Sequence, residues 1–269
     1  MANPDPTLLI LIAVFIFGTM LGSFLNVCIV RLPKNESIIK PPSHCPSCKA
    51  QIPFYLNIPL VSYLFLRGRC RFCAERISPR YFFVELLMGI LAVAILFRFG
   101  LSAAFFVNLV FVAALVVVSF IDLDVQIVPN VISLPGIGLG FVASLAQYPW
   151  PAEFLSIPPS PLSSFIGILI GGGFLWLVAW VYEFFTGTEG MGGGDVKLLA
   201  MIGAFLGWPS IPLTLFFASV IGSVIGVYLM VRSGAGGKYA IPFGPFLCLG
   251  ALFYLFLGRI VLDFYLPSG

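Results

Sequence analysis

Charge is what this chain has least of. Only 9% of its 269 residues are Asp, Glu, Lys or Arg, 60% are hydrophobic, and the mean hydropathy is +1.08. So little polar surface excludes a water-soluble fold and implies a polytopic membrane protein. The apolar stretches also lack the alternation of barrel strands, which leaves an all-α bundle. A bilayer core takes about 20 apolar residues per helix. By that measure eight spans are expected, over 8–30, 81–98, 103–121, 131–147, 162–182, 196–208, 210–231 and 243–262. The sixth is short, and the fourth carries Pro135 and several glycines. The first run lacks a basic start and a clear small-residue cleavage site past Gly22, so a retained helix is expected rather than a signal peptide.

The few charges are unevenly spread. Of 14 Lys and Arg, nine lie between Arg31 and Arg80, where the only acids are Glu36 and Glu75. Positive charge stays cytoplasmic during insertion, so this segment is expected inside and the N-terminus outside. Counting spans then puts Asp122 and Asp124, the loop from Glu183 to Asp195 and the basic loop Arg232 to Lys238 on the cytoplasmic side. The connection 148–159, which has no Lys or Arg, falls outside. The basic segment serves as a topogenic flank that also meets anionic lipid head groups. It carries no recognisable nucleic-acid reader module, so no nucleic-acid partner is expected.

Within that segment lie Cys45-Pro-Ser-Cys48 and Cys70-Arg-Phe-Cys73, separated by 21 residues. Two such knuckles can wrap four thiolates around a tetrahedral ion, and Zn²⁺ suits sulfur ligands. Arg67, Arg69 and Arg71 would favour the thiolate forms. Disulfides are the alternative, which the expected cytosolic placement disfavours. A site of four thiolates leaves no open coordination position and reads as structural. His44 is read as a bystander, and Cys28 and Cys248 as small buried hydrophobes.

Ionisable groups in or beside a span are costly and mark functional positions. Asp122 ends the apolar run from Phe111, Asp195 closes Gly190-Met-Gly-Gly-Gly-Asp195, and Glu85 lies near the start of the second span. Two carboxylates brought within a few ångströms cannot both ionise cheaply, so one proton is shared; the charged member can activate water while the protonated one polarises a carbonyl. Gly192, Gly193 and Gly194 would let the backbone come close to a partner helix and a peptide, and Gly192, Gly194 and Lys197 are expected to support the catalytic loop. Alternatively, Asp195 simply caps the helix that follows. For Glu85 a structural role, capping or pairing with an arginine, is at least as good a reading as chemistry. The Gly-rich stretch has no Lys-Ser/Thr ending, which excludes a phosphate-cradling loop, and no Rossmann-like unit is present. Acids at a membrane boundary and the lack of an internal repeat argue against a transporter. A non-catalytic assembly factor would tolerate loss of either Asp.

Several motifs in order resemble the bacterial type IV prepilin peptidases: Gly22-Ser-Phe-Leu-Asn-Val27 with Arg31-Leu-Pro33, the paired knuckles, Asn57-Ile-Pro-Leu-Val-Ser62, Ile121-Asp-Leu-Asp124 running to Pro129-Asn130, Gly190 to Leu199, and Ile241-Pro-Phe-Gly-Pro245. The resemblance implies an inner-membrane aspartic endopeptidase with Asp122 and Asp195 as the catalytic pair. It further implies that the basic leader of prepilins and pseudopilins is cut after a glycine on the cytoplasmic side. The new N-terminal amine would then be methylated with S-adenosylmethionine, an activity tied by the resemblance to the cysteine segment that shorter archaeal relatives lack. Glu183, Glu189 and Asp124 could attract the leader. Phe82, Leu56 and Asn130 depart from the family pattern, which commonly has Pro, an acid and Asp there; none touches the expected dyad. The expected organisation is a first span over 1–30, a cytoplasmic tetracysteine domain over 31–80 and a protease core over 81–269.

Overall fold

A computed structural model of the chain describes residues 7–146, 159–188, 192–233 and 242–265. Nine α-helices are present among them: α1 (Leu8–Arg31), α2 (Val61–Phe65), α3 (Pro79–Phe99), α4 (Ala103–Val125), α5 (Asn130–Ala146), α6 (Pro161–Thr186), α7 (Gly193–Leu206), α8 (Ser210–Ser233) and α9 (Gly244–Tyr265). No strand forms among the described residues beyond two isolated bridges. The expected outer connection 148–159 and basic loop 232–238 fall largely outside the described residues, as does Glu189.

Helix boundaries follow local chemistry. Ser78 and Ser160 each precede a proline at the first helical position, and their side chains accept the N–H groups of Arg80 and Ser163. Gly187 ends α6 with φ 66°, a left-handed conformation that glycine adopts without steric cost. Five helices are long and apolar enough to cross a membrane: Leu8–Lys34, Pro79–Phe99, Ala103–Val125, Pro161–Thr186 and Ser210–Arg232. They and the helices α5, α7 and α9 correspond to the eight apolar spans of the sequence. Exposed Phe165, Leu169, Phe174, Trp176 and Leu177 on α6 and Phe216, Val220, Val224 and Val227 on α8 form the kind of surface that lipid, not water, covers.

The chain forms two compact units, Met1–Val117 and Val118–Gly269, with the boundary inside α4. In the first unit α1 packs on α3. A Cβ at Gly22 would stand 2.7 Å from the Glu85 Cα, so only glycine allows this approach. Small residues at such crossings are how helices associate in membranes.

In the second unit α7 is the core. It has 14 residues, so at about 1.5 Å per residue it reaches about 21 Å, short of a hydrocarbon core of roughly 30 Å. Every residue from Leu198 to Leu206 is buried. An apolar helix enclosed on all sides is an interior element, and α5, α6, α8 and α9 all pack on it. The short sixth span is therefore a wrapped core helix. Gly167 of α6 and Gly203 of α7 meet backbone to backbone, and the Ser164 hydroxyl donates to Ala204 O at 2.7 Å across the same interface. α5 continues through Pro135 without a break.

Candidate active site and metal centre

Asp122 stands one turn before the end of α4 and is 5% exposed. Its Oδ2 accepts the backbone N–H of Gly244, the first residue of α9, at 3.0 Å. Asp195 stands in the first turn of α7, where the helix dipole favours an acidic side chain. Gly192 occupies the capping position and no side chain caps the helix, so the alternative reading of Asp195 as N-cap is replaced by the third position of the helix, still within its first turn. The charge of Asp122 acts on Asp195, and both carboxylates act on Cys248 of α9. Two acids 73 positions apart in sequence, on α4 and α7, thus share one end of the second unit.

The supporting residues divide. A Cβ at Gly194 would stand 2.9 Å from the Val128 Cβ, so this glycine lets the start of α7 seat against the loop after Asp122. Gly192 and Gly193 face open space and impose no such demand; Gly190 and Met191 lie outside the described residues. Lys197 Nζ donates to Asn130 Oδ1 at 2.8 Å and ties the start of α7 to the start of α5.

Sequence reasoning gave no part in this site to Cys248 or to Gly244, although Gly244 lies in the Ile241-to-Pro245 motif. Cys248, read as a buried hydrophobe, is 1% exposed but also bonds the Ser119 hydroxyl beside the two acids. Gly244 contacts a residue 122 positions away, a distance over which local pattern says nothing.

The first unit holds the other expected groups. Glu85 accepts the Leu60 N–H at 2.8 Å and bonds the Ser23 side chain. Leu60 has φ 60° and ψ −50° and is spanned by a bond from Val61 N to Pro59 O at 2.6 Å, which makes it the centre of a strained γ-turn. The buried carboxylate thus pins the Asn57–Leu60 loop.

The two cysteine knuckles have one geometry. The N–H of Cys45 bonds Ala50 O and that of Lys49 returns to Cys45 O; the N–H of Cys70 bonds Glu75 O and that of Ala74 returns to Cys70 O. The residue after each second cysteine, Lys49 or Ala74, is left-handed at φ 59° or 57°. The four sulfurs lie within 4.8 Å of one another, an arrangement that could hold a metal ion. All six cysteines are free, and the 3.8 Å between Cys45 and Cys73 far exceeds a disulfide bond of about 2.05 Å. The Cys48 backbone N–H, aided by that of Ser47, outweighs desolvation and holds the Cys45 thiol down, to about 6. The Glu75 N–H pulls Cys73 down, yet desolvation and its three sulfur neighbours push it up to about 12. His44 is not in this group: its Nδ1 lies 3.2 Å from Pro42 O in its own loop.

Residues 16–99 match the bacterial peptidase A24 N-terminal domain, and residues 109–227 match the type IV leader peptidase family. The chain is 37% identical to a prepilin leader peptidase/N-methyltransferase of Pseudomonas putida, over 87% of this chain and 86% of that protein. It is 36% identical to a protein of the same name from Aeromonas hydrophila, over 95% and 93%. The chain belongs to the type IV leader peptidase family. Another such relative, from Pseudomonas aeruginosa, is 35% identical over 93% of this chain and 91% of its own length. No solved structure matches this chain. In this family member the four knuckle cysteines lie within the first matched region, and Asp122 and Asp195 within the second.

Proposed function

We propose that this protein removes the leader peptide from prepilins and pseudopilins and methylates the new N-terminal residue, with Asp122 and Asp195 as the catalytic pair. What supports the peptidase half is that Asp122, near the end of α4, and Asp195, in the first turn of α7, lie close enough to interact electrostatically. The family relation and the names of the relatives support both halves.

In hydrolysis the ionised carboxylate takes a proton from water as the water oxygen attacks the scissile carbonyl carbon. The protonated carboxyl gives its proton to the carbonyl oxygen. The diol then collapses: a hydroxyl returns a proton to the second acid, and the amine leaves with the proton first taken from water. Gly194 keeps the start of α7 close to the Val128 loop, and Lys197 braces it on Asn130.

The metal of the cysteine cluster is read as Zn²⁺. Tetrahedral zinc with bonds of about 2.3 Å to sulfur has sulfur–sulfur edges of about 3.8 Å, which the Cys45–Cys73 separation of 3.8 Å fits. Cys45, Cys48, Cys70 and Cys73 would hold it, and its part is to fix the fold of the 31–80 segment. S-adenosylmethionine supplies the methyl group when bound; the amine that accepts it is the one freed by cleavage. The basic segment supports a periplasmic N-terminus, a cytoplasmic tetracysteine domain over 31–80 between a first span over 1–30 and a protease core over 81–269, and cleavage at the cytoplasmic face of the inner membrane, in contact with its lipids.

The test is coexpression with a prepilin, followed by mass spectrometry of the pilin. The expected product lacks the leader and is heavier by one methyl group at its N-terminus. A mature pilin with a bare amine would remove the methyltransferase half, and a full-length pilin beside correctly inserted enzyme would remove the peptidase half. Metal analysis of purified protein is expected to find one zinc ion per chain and none after all four cysteines are replaced by serine; absence of zinc from active wild-type protein would overturn the metal assignment.

A further inference from the structure

The first turn of a helix leaves four N–H groups without partners inside the helix, and each must find one. At the start of α9, Pro245 has no N–H, Phe246 donates to Phe243 O, and Leu247 makes the first regular helical bond to the same oxygen. The N–H of Gly244 has no place in that ladder and donates to Asp122 Oδ2 at 3.0 Å, one of the two proposed catalytic acids.

The approach is close enough to exclude a side chain. A Cβ at position 244 would stand 2.6 Å from Asp122 Oδ2, 3.2 Å from its Cγ and 3.6 Å from its Cβ. Relief would require α9 to withdraw or the carboxylate to turn away. α9 is held along its length: Leu247 and Ala251 are fully buried, Cys248 bonds Ser119, and Gly250 seats against the Thr214 backbone of α8. The carboxylate is the lighter and freer of the two groups, so it is what a side chain at 244 would displace.

We infer that Gly244 is a positioning residue for hydrolysis: its N–H and its missing side chain together fix the rotamer in which Asp122 meets Asp195. The inference rests on the peptidase reading given above. Gly244 touches neither water nor substrate in this role; it acts through Asp122. Displacing a reacting group by about 1 Å costs on the order of 10²-fold in rate, and the loss falls on the chemical step because substrate contacts are untouched.

The experiment is steady-state cleavage of a prepilin by purified Gly244→Ala. The expected result is kcat lower by about 10²-fold with KM within about twofold of wild type. A wild-type kcat, or a raised KM with kcat unchanged, overturns the inference. Thermal unfolding in detergent supplies the second measurement, with Gly244→Ala made in both the wild-type and Asp122→Ala backgrounds. Asp122→Ala removes the atoms that a Cβ would strike, so Gly244→Ala is expected to lower the melting temperature only where Asp122 is present. An equal loss in both backgrounds, or failure of both proteins to accumulate, assigns Gly244 a role in folding alone and rejects the inference. Asp122→Asn and Asp195→Asn separate the two levels of the argument. If these variants still cleave, the peptidase reading fails whatever Gly244 does; if they are inactive while Gly244→Ala is fully active, only the inference about Gly244 fails.

Discussion

Single residues decide how well each unit holds its functional groups. Glu85 is the clearest case in the first unit, because its buried carboxylate holds the strained turn at Leu60. Glu85→Ala leaves the Leu60 N–H without its acceptor, and loss of a hydrogen bond to a charged group costs about 1.5–3 kcal/mol. Glu85→Gln keeps an acceptor of the same reach and should cost clearly less. Thermal unfolding of the two variants in one detergent compares them directly; equal losses would mean that the bond to Leu60 is not what Glu85 contributes. Lys197 is a contrasting case. Its bond to Asn130 is exposed, so Lys197→Met is expected to cost no more than about 1 kcal/mol and to slow cleavage far less than loss of either Asp. A Lys197→Met enzyme as inactive as Asp195→Asn in the same cleavage assay would assign Lys197 a place in the chemistry itself.

Elements were legible in the sequence to very different degrees. The eight apolar runs stand out because a membrane helix must satisfy its backbone internally and cover itself with apolar side chains. What hydropathy does not report is which helix faces lipid. α7 reads as a short span, yet its packing with α5, α6, α8 and α9 makes it the core of the second unit. Its crossing with α6 depends on Gly167 and Gly203, so Gly203→Leu forces the two backbones apart. Overpacking of this kind costs about 1–3 kcal/mol or more. Because α7 carries Asp195, cleavage should fall together with the melting temperature. A Gly203→Leu protein with unchanged stability would show that the α6–α7 crossing is not as close as described. The knuckles were equally plain in sequence, because the Cys-x-x-Cys spacing by itself dictates the turn. The matching left-handed residues Lys49 and Ala74 had no sequence signal, since neither is glycine or asparagine.

At the scale of the whole molecule, the two acids were legible for the same reason that they are costly. A carboxylate at the end of an apolar run conflicts with its surroundings, and such conflicts concentrate at functional sites. Their partners were not legible. Gly244 lies in a motif whose role the sequence does not state, Cys248 looks ordinary, and both acquire meaning only when α9 begins against Asp122. Topology gives the molecule a further prediction. Cys48 and Cys73 are exposed, so in intact cells a membrane-impermeant thiol reagent should leave them unmodified, and in inverted membrane vesicles treated with a chelator it should modify both. Modification in intact cells would invert the orientation proposed from the basic segment.

The central claim is that Asp122 and Asp195 act as one catalytic unit. Groups that act as a unit are not additive when removed. The most direct measurement is kcat/KM for prepilin cleavage by Asp122→Asn, Asp195→Asn and the protein carrying both substitutions, each verified as folded and membrane-inserted. Each single substitution is expected to cost about 10²–10⁴-fold or more, and the double substitution no more than the worse single one. Cleavage retained by either single variant, or losses that multiply in the double variant, would contradict the account.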